Sequence, residues 1–145
     1  MARYRFILTL LAAFGGCAAQ SGTLVPFAAQ GDAIPASLAG PGDPARGREI
    51  VAGRDANCVL CHVVPGTAGR TVGDLAPTLA GVASRLTAGQ MRLRIVDSMR
   101  LNSDTIMPSY YRVEGLNRVA AQWRGKPILT AQEVEDVIAY LETLR

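Results

Sequence analysis

Histidine, lysine and cysteine are scarce in this 145-residue chain, which contains one histidine, one lysine and three cysteines. A single histidine and one close pair of cysteines leave no second cluster from which a four-ligand structural zinc site could be built. The basic residues are almost all arginines scattered among acidic ones, so no basic run indicates nucleic-acid binding. No segment alternates apolar and polar residues convincingly, and the pattern of a half-buried strand is therefore missing.

The first 19 residues have the layout of a bacterial export signal. Arg3 and Arg5 precede an apolar run over residues 6–14, and small residues follow. Since this run is too short to span a bilayer comfortably, we predict that residues 1–19 are a signal peptide rather than a buried helix, and that the mature protein is periplasmic. Loss of Arg3 and Arg5 would lower the net charge from +3 to +1.

Cys17 lies inside this predicted signal and has two interpretations. It follows Gly15 and Gly16 in "FGGC", which resembles a lipoprotein processing box with Phe14 where leucine is usual. In that case a lipid on Cys17 would attach the protein to a membrane. We favour the other interpretation, in which Cys17 is discarded with the signal.

Residues 20–42 are rich in Ala, Gly, Pro and Ser and show no helical period, which predicts a linker or an N-terminal arm that orders only against something else. The folded domain is predicted over residues 43–145. Asp43 suits an N-cap and Pro44 the first helical position, so a short helix should run to about Ala52.

Two further helices are indicated by capping boxes, Thr87 with Gln90 and Thr130 with Glu133. The apolar residues after Thr130 recur at helical spacing: Val134, Val137, Ile138, Leu141 and Leu144. The fold class is therefore predicted to be all-α. Because residues 53–86 hold many Gly, Ala and Pro, so small a domain is expected to need a bound group inside its core.

Cys58, Cys61 and His62 form the motif Cys-Val-Leu-Cys-His. A thioredoxin-like dithiol would need a preceding strand, which the sequence does not indicate, and a disulfide would leave the adjacent histidine unexplained. Covalent haem explains all three residues, because the two thiols add to the vinyl groups and the histidine then binds the iron. We therefore predict one haem c, attached through Cys58 and Cys61 with His62 as an axial ligand.

The second axial ligand must come from a methionine, unless the site stays open, because no second histidine exists. Met91 falls in the apolar stripe of a predicted helix, which favours core packing, and Met99 follows that helix closely. Met107 lies in a predicted loop beside Pro108, and we predict that it is the ligand. Methionine ligation raises the reduction potential and closes the iron to substrates, so it favours electron transfer.

The motif at Cys58, the segment "APTLAGVASR", Met107-Pro108 and the final helix together resemble a class I cytochrome c. The resemblance implies that the carbonyl of Pro77 accepts a hydrogen bond from His62 and fixes its ring. It also implies a tight crossing of the first and last helices, with two facing sets of residues: Gly47, Ile50 and Val51 against Tyr140, Leu141 and Leu144.

The long connection after Met107, with "LRIVDSMRLNSDTIMP" before it, is similar to the SoxX family of monohaem subunits of periplasmic SoxAX complexes. This resemblance implies a SoxA-type haem subunit as partner in an L-cysteine S-thiosulfotransferase of thiosulfate oxidation. The catalytic cysteine would lie on that partner, so no catalytic residue is expected here. The chain would receive the released electrons and pass them to a further cytochrome.

The alternative is a freestanding class I cytochrome c that feeds an oxidase. Residues 109–129 bear on the choice, because Trp123 and the neighbouring tyrosines suit either a protein interface or the packing of a haem crevice. Arg85 and Arg112 are candidates for pairing with haem propionates, although either could equally be a solvated surface arginine.

Overall fold

The computed structural model describes residues 24–67 and 73–145. These ranges form α1 (Pro44–Ala52), α2 (Val82–Arg85), α3 (Ala88–Asp97) and α4 (Ala131–Leu141), with short 3₁₀ helices at Cys58–Leu60, Ser98–Arg100 and Ala121–Trp123. The described ranges contain no strand beyond one isolated bridge between Gln30 and Ala33, so the predicted all-α class is confirmed. The predicted signal peptide, with Cys17, lies outside the described residues. Within them, no helix has the length and apolar character needed to cross a membrane.

The helices begin at the caps that the sequence predicts. The Asp43 carboxylate accepts hydrogen bonds from the amides of Ala45 and Arg46, and Pro44 is the first residue of α1. Full capping boxes open the other two long helices, at Thr87 for α3 and at Thr130 for α4. Each box satisfies amides that would otherwise lack a partner in the first turn, which fixes where the helix starts.

Helices α1 and α4 cross in close contact at Gly47. A Cβ atom on Gly47 would lie 1.9 Å from the carbonyl oxygen of Asp136 and 2.8 Å from the Cβ of Tyr140. The Asp136 carboxylate binds Arg46 through two hydrogen bonds of 2.8 and 3.0 Å and accepts a third, at 2.8 Å, from the amide of Asp43. The tight crossing implied by the family resemblance is therefore confirmed.

Residues 24–42 lie against the helices as an arm. Ile34 and Leu38 are buried, at 1% and 6% exposure. The Ile34 carbonyl accepts a 2.7 Å hydrogen bond from Arg92 of α3, and the Leu38 amide donates to Glu135 of α4 at 2.9 Å. Arg92 and Glu135 themselves form a buried two-point ion pair at 2.8 Å. The arm thus shares the core of the helical domain, whose outer boundaries stay a prediction.

Candidate functional site

A cavity of about 580 Å³ lies beside the Cys58–Leu60 turn. Its wall comes from α1, α2, α3, α4 and the loops at residues 75–79 and 105–110, and most of the lining side chains are apolar. A volume of this size lies within the range of pockets that enclose cofactors.

The four residues predicted as the site all line this cavity. Cys58 and Cys61 lie at the 3₁₀ turn, and His62 directly follows Cys61. Met107 lies in a loop 45 positions after His62. The two competing methionines are placed differently. Met91 is buried in the core at 2% exposure although it also reaches the cavity wall, whereas the Met99 sulfur accepts a 3.3 Å hydrogen bond from Arg112 away from the cavity.

The thiols of Cys58 and Cys61 are not bonded to each other. Burial raises the pKa of the Cys58 thiol to about 11. A catalytic or redox-active cysteine needs the opposite shift, because the thiolate is its nucleophile. The environment of Cys58 therefore argues against a reactive dithiol, and both cysteines line the largely apolar cavity.

The His62 ring is oriented by Pro77. Its Nδ1 lies 2.6 Å from the Pro77 carbonyl oxygen, as the family resemblance implies. Because a carbonyl can only accept, Nδ1 carries the proton, and the lone pair of Nε2 is left for a metal. The arrangement is that of an axial imidazole ligand with its tautomer already fixed.

Gly73 allows the Pro77 loop to pass close behind the cysteine motif. Three backbone hydrogen bonds join the two segments, from Gly73 to Val59 at 3.0 Å, from Ala76 to Cys61 at 3.0 Å and from Leu79 to Val63 at 2.9 Å. A Cβ atom on Gly73 would lie 1.8 Å from the Leu60 carbonyl oxygen, so only glycine fits. The sequence carries no local signal for this role, because Leu60 precedes Gly73 by 13 positions.

Of the two arginines predicted near haem propionates, one lines the cavity. Arg85 does so, while its guanidinium donates to the carbonyls of Ala80 and Thr78 at 2.6 and 2.8 Å. Arg112 is not among the residues that line the cavity, and its guanidinium pairs with Asp97 at 2.7 Å. A third arginine, Arg94, lines the cavity and was not singled out by the sequence.

Of the aromatic residues in the segment 109–129, only Tyr110 lines the cavity. Tyr110 is buried, lines the cavity and donates its hydroxyl to the Ala56 carbonyl at 2.8 Å. Tyr111 packs edge-on against Phe27 of the arm, with ring centroids 6.2 Å apart. Trp123 lies half-buried in a 3₁₀ helix outside the cavity.

The lining fits a flat and largely apolar group. Leu75 and Ile106 both line the cavity, yet 69% and 74% of their surfaces are exposed. Large apolar side chains around a cavity are covered when an apolar ligand fills it. A porphyrin would cover them, and the neighbouring thiols and imidazole supply the donor set of covalent haem.

Comparison with known proteins agrees with this geometry. The family model for cytochrome c matches residues 44–145. Among solved structures, the chain is similar to one in the crystal structure of SoxXA from P. pantotrophus, with 36% sequence identity and a TM-score of 0.71. The alignment covers 78% of this chain and 90% of that chain. No curated protein sequence matches the chain.

The expected resemblance to a SoxX-type monohaem cytochrome c is confirmed by these two likenesses. They also imply that the cofactor is covalently attached haem c and that the role is electron transfer. Cysteine, histidine and methionine side chains lie on one apolar cavity suited to that group, and the chain belongs to the cytochrome c family.

Proposed function

We propose that this chain is the monohaem electron-transfer subunit of a periplasmic SoxAX-type complex, an L-cysteine S-thiosulfotransferase of thiosulfate oxidation. The observation that carries the proposal is the likeness to a SoxXA chain, which extends over 90% of that chain and includes more than the haem motif. The SoxXA complex is a property of the P. pantotrophus protein, and its transfer to this chain is part of the proposal.

At the site, we assign covalent attachment to Cys58 and Cys61 and axial ligation to His62 and Met107. When bound, haem iron supplies a one-electron redox couple. The hydrogen bond from His62 to Pro77 orients the imidazole and increases its basicity. A thioether from Met107 would raise the reduction potential and leave no open position for substrate, and the apolar wall limits the access of water.

The catalytic cysteine belongs to the partner in this proposal. Two of the cysteines in this chain are used for attachment, and the third, Cys17, lies in the predicted signal peptide. The chain accepts the electrons that are released when the SoxA-type subunit joins thiosulfate to a carrier protein. It then passes them to a further cytochrome. Export to the periplasm is consistent with covalent haem, which is attached outside the cytoplasm.

The contact with the partner is assigned to the segment around Trp123. Trp123 is half-buried and lies outside the cavity, and the exposed Arg118, Arg124 and Lys126 surround it in sequence. Tryptophan beside basic residues is typical of interface hot spots. Trp123→Ala should therefore weaken assembly by about 2 kcal/mol or more while leaving the haem spectrum nearly unchanged.

Co-purification from the periplasm of thiosulfate-grown cells tests the proposal. The chain should elute with a larger haem protein, and Trp123→Ala should reduce this association. Leu101→Ala is a control, because Leu101 is an exposed apolar residue outside the segment 109–129. A chain that elutes alone yet still passes electrons to an oxidase would be the freestanding carrier, and the SoxAX assignment would be wrong.

A further inference from the structure

The loop that carries Met107 is bonded to the end of α3. Helix α3 ends at Asp97, whose backbone leaves the helical region with φ −153° and ψ 74°. The last carbonyls of a helix have no partner within it. Here the Ile95 carbonyl accepts a hydrogen bond from the Tyr110 amide at 3.0 Å. The Val96 carbonyl accepts one from the Arg112 amide at 3.1 Å. The chain just after Met107 is therefore fixed to the helix.

Ser98, which follows Asp97, binds the backbone of Met107. It is buried at 6% exposure, and its hydroxyl donates to the Met107 carbonyl at 2.6 Å. The Asp97 carboxylate accepts from the Ser109 hydroxyl at 3.2 Å and from the Arg112 guanidinium at 2.7 Å. Two adjacent side chains at the end of α3 therefore bind the loop at three residues, which are Met107, Ser109 and Arg112.

The hydrogen bond from Ser98 restrains the residue whose side chain lines the cavity. Ile106, the residue before Met107, is 74% exposed, so the loop borders solvent at this point. An outward movement of the loop would break this hydrogen bond. The hydroxyl therefore stabilises the closed position of the loop relative to an open one.

We propose that Ser98 is a positioning residue that keeps the Met107 sulfur on the haem iron and so excludes competing ligands. The inference rests on the proposed function, in which Met107 is the axial ligand. An external ligand can bind only while Met107 is displaced, so its apparent affinity is proportional to the open fraction of the loop. Loss of the Ser98 hydroxyl should increase that fraction.

Imidazole titration of the oxidised holoprotein tests the role of Ser98. Ser98→Ala should lower the apparent Kd for imidazole about tenfold, a change of about 1.4 kcal/mol. The near-infrared band of His/Met iron should disappear at correspondingly lower imidazole. Ser98→Thr keeps the hydroxyl and should stay near the wild type. Ser103→Ala is the matched control, because Ser103 is an exposed serine between Ser98 and Met107.

Unchanged imidazole affinity in Ser98→Ala would overturn the inference, even if urea unfolding showed lower global stability, because that result describes a purely structural serine. Met107→Ala separates this failure from that of the proposed function. If Met107→Ala keeps the near-infrared band, Met107 is not the ligand and the axial assignment fails. If Met107→Ala loses the band while Ser98→Ala binds imidazole as the wild type does, only the role of Ser98 is wrong.

Discussion

Single side chains at this site have their orientation set by atoms far away in sequence. His62 is held by the carbonyl of Pro77, and Met107 is held through its own carbonyl by Ser98. Neither hydrogen bond uses the functional atom, Nε2 or Sδ, which is left to bind a metal. The site is therefore organised by backbone carbonyls as much as by the ligands themselves.

Met107→Ala tests the axial assignment at the residue scale. The oxidised wild-type protein should show the weak near-infrared band of His/Met iron, and Met107→Ala should remove it because no thioether then reaches the iron. Met99→Ala should keep the band, since the Met99 sulfur contacts Arg112 instead of the cavity. Loss of the band in Met99→Ala alone would reverse the assignment, and its persistence in both variants would indicate a different sixth ligand.

Asp136 makes the stability of the fold sensitive to acid. The hydrogen bond from Arg46 lowers the pKa of Asp136 below its usual value of 3.8, with further help from the Asp43 amide and Gln132. Because the folded pKa is lowered, the contribution of the carboxylate to stability is present above pH 3.8 and is lost as the pH falls through the folded pKa.

Urea unfolding of Asp136→Asn at neutral and acid pH measures this contribution. We expect the variant to lose about 1–3 kcal/mol at pH 7, because the amide lacks the negative charge and one of the two oxygens that accept hydrogen bonds from Arg46. It should then lose less than the wild type on going to about pH 3, below the unfolded carboxylate pKa. Asp104→Asn, at an exposed loop position, should follow the wild type. Equal acid sensitivity of Asp136→Asn and the wild type would contradict the assignment.

The crossing of α1 and α4 depends on a glycine at the contact point. Gly47→Ala places a methyl group 1.9 Å from the Asp136 carbonyl oxygen, so the helices must separate. Overpacking of this kind typically costs about 1–3 kcal/mol, and contact with rigid backbone favours the upper end. Chemical unfolding measures the loss. Gly40→Ala is the control, because its Cβ would meet only a side-chain oxygen at 3.6 Å, and equal stability of the two variants would contradict a tight crossing.

The arm is joined to α3 and α4 by the buried pair of Arg92 and Glu135. Glu135→Ala would leave the Arg92 guanidinium buried without its carboxylate, which typically costs about 3–5 kcal/mol. The arm should also become more accessible, because Leu38 loses its acceptor. Urea unfolding and limited proteolysis within residues 24–42 measure the two effects. Glu142→Ala, at an exposed position, should change neither, and an arm that stays protected in Glu135→Ala would contradict the role of this pair in holding it.

Sequence predicts the local parts of these elements and misses the distant ones. The N-caps Asp43, Thr87 and Thr130 are readable because a cap and its helix are adjacent in the chain. The pairing of Arg92 with Glu135 cannot be predicted in this way, because 43 positions separate the two residues and either could be an ordinary surface charge. The proposed haem ligands fall between these cases. The Cys-x-x-Cys-His motif is local, while the choice among methionines depends on which of them lines the cavity from a loop.

At the scale of the whole domain, the described helices and loops surround a largely apolar cavity. Its core joins residues of the arm, α1, α3 and α4 in a single cluster, and the cavity of about 580 Å³ lies within that same small domain. A domain of this size gains much of its stability from the groups that fill its interior. Covalent haem would therefore serve both as the redox centre and as a large part of the core.

Mass spectrometry of the purified holoprotein tests this central claim most directly. Trypsin cleaves after Arg54 and Arg70, so residues 55–70 form one peptide that contains both Cys58 and Cys61. The account predicts that this peptide carries the mass of one haem and keeps it through acid-acetone extraction. Recovery of the peptide with unmodified cysteines, from protein whose haem is extracted by acid-acetone or that holds no haem, would contradict covalent attachment at this motif.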